Sequence, residues 1–558
     1  MTAASILLER FPELFFLVSY GESTSTATAI ASKEEITKHL STLPLSHLST
    51  IYLYGIGEGT YYELLKPWLG QAKEHRLIIL QENMDELRAF CERQEAPELF
   101  NDRQVIVRSY TRNICLDAHV QALVSAFPCD RLEVVTSYAK KTPYFRRLRL
   151  ELLRKSTLSW AVAMESLQYP KLMANVLANF PFVSQSAIVN RWKGRFEGIP
   201  AIICGAGPSL HKEIASLKQL EDQALIMAGG STMTALSYHG IEPHLALAID
   251  PNKEEFHRLK EANFFHTPLI YGSRLEKDVL NLWSYDLGYL ISDTGGPCER
   301  HLEQALNLED LPVGPELGME ALSITTLAIA MAVHMGCNPI ILCGIDLAYT
   351  DSAAYTTGIL SSSTDAMDTR SSERKCSRKD IHGRSIQTAV KWIMESECIS
   401  TFAKMHPKTR FINVSQGGLG FKGIENSSLG KMCFKEARDL RGKVHAEMQR
   451  AQSGISLATI HEKKAEIRES LQSLLDLCKE ALQEIESSLE FPTPRFTLLE
   501  YEMQEKSAWH SLNPFLDPIL DTLSHRLSPD ATSPQALALA KLNTWRGVLE
   551  EQLLLFPS

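Results

Sequence analysis

Apolar residues follow two rhythms along this chain: short unbroken runs, and longer stretches where they recur every three or four positions. Unbroken runs bounded by turn residues read as strands, and the three-to-four spacing reads as helix. Ile51-Tyr52-Leu53-Tyr54, Leu77-Ile78-Ile79-Leu80, Arg103 to Ser109 and Leu132 to Thr136 are predicted strands, with Tyr61 to Trp68 helical between the first two. They predict a small N-terminal α/β unit. Tyr144 to Trp192 then turns basic and helical, with Arg146, Arg147, Arg149 and Arg154 as a solvated face. Further strands are predicted at Ala201 to Cys204, Ala224 to Ala228, Leu245 to Ile249, Leu269 to Tyr271, Tyr289 to Ile291, Pro339 to Cys343 and Thr409 to Val414, alternating with helical stretches. That alternation predicts a parallel sheet with helices on both faces. Residues 352–385 are rich in Ser, Thr, Asp, Arg and Lys without periodicity and read as a mobile loop able to close over a site. Heptad-like spacing over 430–487, and helical spacing over 497–525 and 533–555, predict long amphipathic helices for packing or for homo-oligomer formation. The expected class is α/β: a central Rossmann-like parallel-sheet domain (185–425), a smaller N-terminal α/β domain (1–140), a helical connector (141–184) and a C-terminal α-helical region (426–558).

Length and charge narrow this further. With 558 residues the chain exceeds what one core serves. A formal net charge of −10 argues against a general nucleic-acid binder, which needs a basic face. The 11 cysteines lack metal-site or disulfide-framework spacing and read as reduced thiols of a cytoplasmic protein. Met1 to Tyr20 has no secretory pattern, and the longest apolar stretch, Ala321 to Val333, stops at His334, too short to span a bilayer. No membrane span is expected.

Candidate chemistry gathers at the carboxyl ends of the predicted central strands, where such sheets place ligands. In Cys204-Gly205-Ala206-Gly207-Pro208-Ser209-Leu210 a strand breaks into a glycine turn and then a helix. Gly205, Ala206 and Gly207 let a ligand approach the backbone, Ser209 offers a hydroxyl, and the helix start offers amides to a phosphate. On this reading Gly207→Val abolishes nucleotide binding and leaves the fold largely intact. Gly230-Ser231-Thr232 opens the next helix and supplies a second set of donors. Asp250, ahead of Pro251, is a ribose contact or a metal carboxylate, or else caps its own turn. Asp346 is a base or substrate-positioning group, and His382, beside Arg384, a base or phosphate partner. Tyr349 stacks on a base or sugar, or packs in the core. His244 and His334 read as structural. In the N-terminal unit, Gly55-Ile56-Gly57-Glu58-Gly59 and Glu82 fit a dinucleotide fingerprint in part, and a purely structural turn equally.

Taken in order, Gly205-Ala206-Gly207-Pro208-Ser209-Leu210, Gly230-Ser231-Thr232, Asp250-Pro251, Gly344-Ile345-Asp346-Leu347-Ala348-Tyr349 and Asn413-Val414-Ser415-Gln416-Gly417-Gly418 resemble the domain shared by motility-associated factor (Maf) glycosyltransferases and MptE-like hydroxymethylpterin diphosphokinases. The flanking segments look like the Maf layout. The resemblance implies transfer of a nonulosonic, sialic-acid-like sugar from a CMP-activated donor to a Ser or Thr hydroxyl of a flagellin-like protein, in the cytoplasm, with Mg²⁺ as a candidate cofactor. It implies that Gln416 and Gly417 face substrate; Gln416 stands where the family usually has an acidic residue. Two other readings stay open: an ATP- and Mg²⁺-dependent pyrophosphokinase acting on a pterin alcohol, with Asp250 and Asp346 on the metal, and a non-catalytic scaffold whose helical tail binds a partner.

Overall fold

A computed structural model describes residues 2–21, 29–110, 116–127, 129–262, 266–292, 296–308, 310–317, 323–349, 356, 375–434, 437–488, 490–526 and 533–556. The chain divides into two compact units, Met1–Met164 and Glu165–Ser558. The expected connector is split by that boundary. Phe145, Leu148, Leu152 and Leu153 of the helix Pro143–Leu167 join a core of the first unit, whereas Tyr169, Met173, Val176 and Leu177 of the next helix, Tyr169–Asn179, join a core of the second.

In the first unit, β1 (Thr50–Tyr54), β2 (Arg76–Gln81), β3 (Val105–Ser109) and β4 (Leu132–Thr136) form a sheet of order β3-β2-β1-β4. All neighbours are parallel. Successive side chains of β1 feed opposite faces: Ile51 and Leu53 pack in one core, Tyr52 and Tyr54 in another.

Among the described residues of the second unit, nine strands form one sheet in the order β15-β14-β11-β6-β7-β8-β9-β10-β5. They are β5 (Ser186–Ile188), β6 (Ala201–Cys204), β7 (Leu225–Gly229), β8 (Leu245–Ala248), β9 (Leu269–Tyr271), β10 (Leu287–Tyr289), β11 (Ile340–Cys343), β14 (Phe411–Asn413) and β15 (Glu425–Asn426). Every pairing is parallel. β7 to β10 run outward from β6 on one side and β11 lies on the other, so the chain reverses direction between β6 and β11. Ala201 and Ile203 face one core, Ile202 and Cys204 the other, and both faces are covered by helices, which is why these strands read as continuous apolar runs. The apolar stretch ending at His334 is a buried helix, Ile324–His334, and among the described residues no helix is long and apolar enough to cross a membrane.

The tail helices Leu457–Ser487, Pro494–Gln504, Ser507–Arg526 and Pro534–Leu553 bury their apolar stripes in the same core as one face of the nine-stranded sheet. Ile460, Leu471, Leu474, Leu512 and Trp545 share that core with Ile202, Ile226 and Ala246. Burial of this stripe is thus accounted for within the chain. Part of the segment read as a loop is ordered: β12 (Lys375–Lys379) and β13 (Ser385–Ala389) pair as an antiparallel hairpin. Apart from 356, residues 350–374, most of the stretch where a closing loop is expected, lie outside the described residues.

His244 is structural, as its sequence position predicts. Its Nδ1 accepts the Ile226 amide at 3.0 Å, and burial lowers its pKa to about 3. Folding therefore requires the neutral ring, whereas the unfolded chain binds a proton near its usual value of about 6.5. The stability this ring contributes is complete above about 6.5 and is lost as pH falls toward about 3. Chemical denaturation at pH 7 and pH 4 is expected to show wild type losing more stability than His244→Asn, by on the order of 2 kcal/mol; equal losses overturn the assignment.

Candidate functional site

A cavity of about 450 Å³ opens at the carboxyl edge of the large sheet, within the size range of small-ligand sites. Gly205 and Ala206 after β6, Gly229 to Thr232 from the last residue of β7 onward, and Ile249 to Pro251 after β8 form its floor. Its walls come from Glu255, Arg258, Arg274 and the start of the helix Ile324–His334. The glycines and the Ser-Thr pair are legible as turn chemistry. Glu255 and Arg258 lie one and two turns beyond Asp250-Pro251 on the helix Lys253–Leu259, a spacing that holds the only sequence signal for them.

Two helices end on this cavity. Gly230, with φ of +52°, turns the chain from β7 into the helix Ser231–Tyr238, a backbone shape that glycine adopts without strain. Ser323 caps the helix Ile324–His334: its hydroxyl accepts the Thr326 amide at 3.1 Å, and Thr326 reciprocates to the Ser323 amide at 3.0 Å. The amides of Ser231, Thr232, Ile324 and Thr325 have no acceptor within their own helices, and each helix presents its positive end here. Arg258 and Arg274 add positive charge. This is an arrangement for an anion.

Acidic groups sit against it. The Glu255 side chain is 4% exposed, and its carboxylate lies 3.4 Å from the Arg258 guanidinium. Burial pushes its pKa up to about 7, with the Asp250 charge adding and Arg258 opposing. Behind the cavity wall, Ser323 donates to Glu395 at 2.5 Å, and burial of its carboxyl likewise pushes Glu395 up to about 7. For a carboxyl raised in the fold, stability falls as pH rises from the unfolded value of about 4.3 through 7. Glu395→Gln keeps the acceptor for Ser323 and removes this penalty. It is expected to be more stable than wild type at pH 8, by on the order of 1–3 kcal/mol in a denaturant titration, and to lose that advantage at pH 5.

The geometry redistributes the residues nominated from sequence. Gly205, Ala206, Gly230, Ser231, Thr232 and Asp250 line the cavity together. Gly207, Ser209 and Asp346 do not. The Ser209 hydroxyl and amide both donate to Asp346, the amide at 2.8 Å, and Ser209 and Asp346 are only 2% exposed. Asp346 thereby occupies the start of the helix Leu210–Gln219, the place foreseen for a phosphate. The Gly205 and Gly207 amides are also engaged, by the Cys343 and Gly344 carbonyls at 2.8 Å each. The first glycine loop is a strand-to-strand clamp between β6 and β11, and the donors available to an anion belong to the next two helices.

His382 is an exposed residue in the turn of the β12–β13 hairpin, where its backbone amide donates to Asp380 at 2.9 Å, and it does not line the cavity. Tyr349 packs against Trp392, with ring centroids 5.0 Å apart and the rings tilted by 57°, instead of lining the cavity. Gln416 donates to Glu213 at 3.1 Å and to the Val414 and Ser427 carbonyls, and with Gly417 it closes a turn away from the cavity. An acidic residue at 416 would face Glu213, so the glutamine suits its surroundings.

Asp250 is held as a turn. Its Oδ1 accepts the Asn252 backbone amide at 3.0 Å and side-chain amide at 2.8 Å, and its Oδ2 lies 3.5 Å from Arg258. A cation there would have to displace an arginine, so these residues do not fit Mg²⁺. Asp346, spent on Ser209, cannot share a metal with it. Among the described residues no group of three or more His, Cys, Asp or Glu is placed to hold a metal.

The N-terminal glycine loop is filled in the same manner. Gly57 donates its amide to Glu86 at 2.6 Å, Ile56 donates to Gln81 at 2.6 Å, and the Tyr54 hydroxyl is bound to Glu82. Of the sequence alternatives for this loop, side-chain acceptors on its amides match the structural turn.

Comparisons with known proteins agree with this architecture. Residues 174–352 match the family model for 6-hydroxymethylpterin diphosphokinase MptE-like proteins, a span holding every described wall of the cavity but ending before the Asn413–Gly418 turn. The solved structure of a MAf glycosyltransferase from Magnetospirillum magneticum AMB-1 aligns with a TM-score of 0.52 at 14% sequence identity, covering 99% of this chain and 94% of that one. No curated protein matches. The chain thus carries an MptE-like domain and shares the fold of a Maf glycosyltransferase.

Proposed function

We propose that the cavity binds a sugar nucleotide and that the protein is a glycosyltransferase, moving a nonulosonic sugar from a CMP-activated donor to a Ser or Thr hydroxyl of an acceptor protein. The observation that carries this reading is the convergence of two helix N-termini, Arg258 and Arg274 on one cavity with a buried carboxyl in its wall. Such donors hold a phosphate and stabilise the charge that grows on it as the sugar leaves. The fold shared with a Maf glycosyltransferase supports the reaction class. The CMP donor and the hydroxyl acceptor rest on the ordered motifs and fit the site without a metal.

A diphosphokinase reading is favoured by the family-model match alone. It would need a cation on Asp250, which faces Arg258. Thermal unfolding separates the two: CMP is expected to raise the unfolding temperature without magnesium, whereas stabilisation by ATP only with magnesium would replace transfer by the kinase reading. Mass spectrometry of cellular proteins with and without the gene product identifies donor and acceptor together.

A further inference from the structure

Resting on the glycosyl-transfer reading, we propose that Glu255 is the catalytic base that removes the proton from the acceptor hydroxyl. Two acids line the cavity among its described residues, and no histidine does. Asp250 already receives two donors from Asn252 on one oxygen and faces Arg258 with the other. Glu255 is different. Its oxygens lie 3.6 and 3.7 Å from where a Cβ on Gly230 would stand, so the carboxylate meets the helix start that offers amides to the phosphate. Arg258 at 3.4 Å holds it in place from the next turn of the same helix. Asp346 and His382, the two bases nominated from sequence, are both outside the cavity.

The step balances without a further reactant. The acceptor oxygen forms a bond to the anomeric carbon while the bond from that carbon to the donor phosphate breaks. The electron pair leaves with CMP, whose phosphate stays against the Ser231 and Ile324 helix starts and the two arginines, and the hydroxyl proton passes to Glu255. Burial beside Asp250 brings the carboxyl up to about 7, and Arg258 is the positive group facing it. It is therefore basic enough to accept a proton near neutral pH and still ionised in an appreciable fraction. The active form is the carboxylate, so the rate must fall as pH drops below about 7.

The test uses the full chain, with CMP as binding probe and CMP-N-acetylneuraminate as donor, following CMP release from pH 5 to 9. Wild type is expected to show an acid limb near 7 in kcat/KM, which reports the free enzyme. Glu255→Gln is expected to bind CMP at least as tightly as wild type, to lose on the order of 10²–10⁴-fold in kcat, and to lose the acid limb; Glu255→Asp recovers part of both. Full activity or a retained limb in Glu255→Gln overturns the assignment. The phosphate of bound CMP also raises the pKa of a neighbouring carboxyl, so binding near pH 7.5 takes up more protons in wild type than in Glu255→Gln. Equal proton uptake by calorimetry in two buffers overturns the assignment even with a donor that is not turned over. Failure of both proteins to bind CMP instead defeats the glycosyl-transfer reading itself.

Discussion

Gly207→Val is expected to unfold the second unit rather than empty its binding site. A Cβ on Gly207 would stand 2.6 Å from the Gly344 carbonyl oxygen and 2.9 Å from the Asp346 carboxyl carbon. The first is backbone and cannot rotate away. Relief requires the loop to withdraw, which breaks the hydrogen bond from the Gly207 amide to Gly344 and moves Ser209 off Asp346. Three donors then lose their acceptors, the Gly207 amide and the Ser209 amide and hydroxyl, at about 1–3 kcal/mol each, on top of overpacking of similar size. A loss of roughly 4 kcal/mol or more should appear in denaturant unfolding, with less soluble protein at 37 °C. A folded Gly207→Val protein with wild-type stability and no nucleotide affinity would restore the phosphate-loop reading and remove the clamp.

The double variant Arg258→Ala, Arg274→Ala is expected to weaken CMP binding by on the order of 10²–10³-fold. Both guanidinium groups line the cavity, and a charge-assisted hydrogen bond to phosphate is worth about 1.5–3 kcal/mol. Arg258 also faces Asp250 and Glu255, so its removal leaves two acids beside the phosphate position and adds repulsion. Ser209→Ala is the informative contrast. Its hydroxyl belongs to the Asp346 clamp, so affinity should hold while stability drops by about 1–2 kcal/mol. Calorimetric titration of CMP into each protein decides the matter: a Ser209→Ala that loses affinity more than the arginine variant would relocate the phosphate to the first glycine loop.

These contrasts show what was readable in the chain. β4, β6 and β9 lie where the apolar runs put them, β10 is offset by two residues from the run at 289–291, and the other predicted strands differ by a few end residues, because burial on both faces leaves an uninterrupted run in the sequence. β5 and β15, at the sheet edges, are three and two residues long and carry no such run. The loop expected over 352–385 takes in β12 and the start of β13, because this stretch is polar and largely exposed on both sides of Asp380 and carries no apolar run.

By itself, then, the amino-acid sequence determined the parallel α/β class, the strand and helix order, and the turn residues that gather at one edge of the sheet. All of these are properties of neighbouring residues, written in local periodicity and in glycine's backbone freedom. Which of the gathered residues face a ligand was decided only by tertiary structure. Ser209 and Asp346 are separated by 137 positions, and Gln416 and Glu213 by 203, yet each pair satisfies itself on contact. A buried polar group takes whatever partner the fold brings to it, and the fold brought carboxylates to the first glycine loop. It set the amide ends of the Ser231 and Ile324 helices, Arg274, and the paired Arg258 and Glu255 around the cavity.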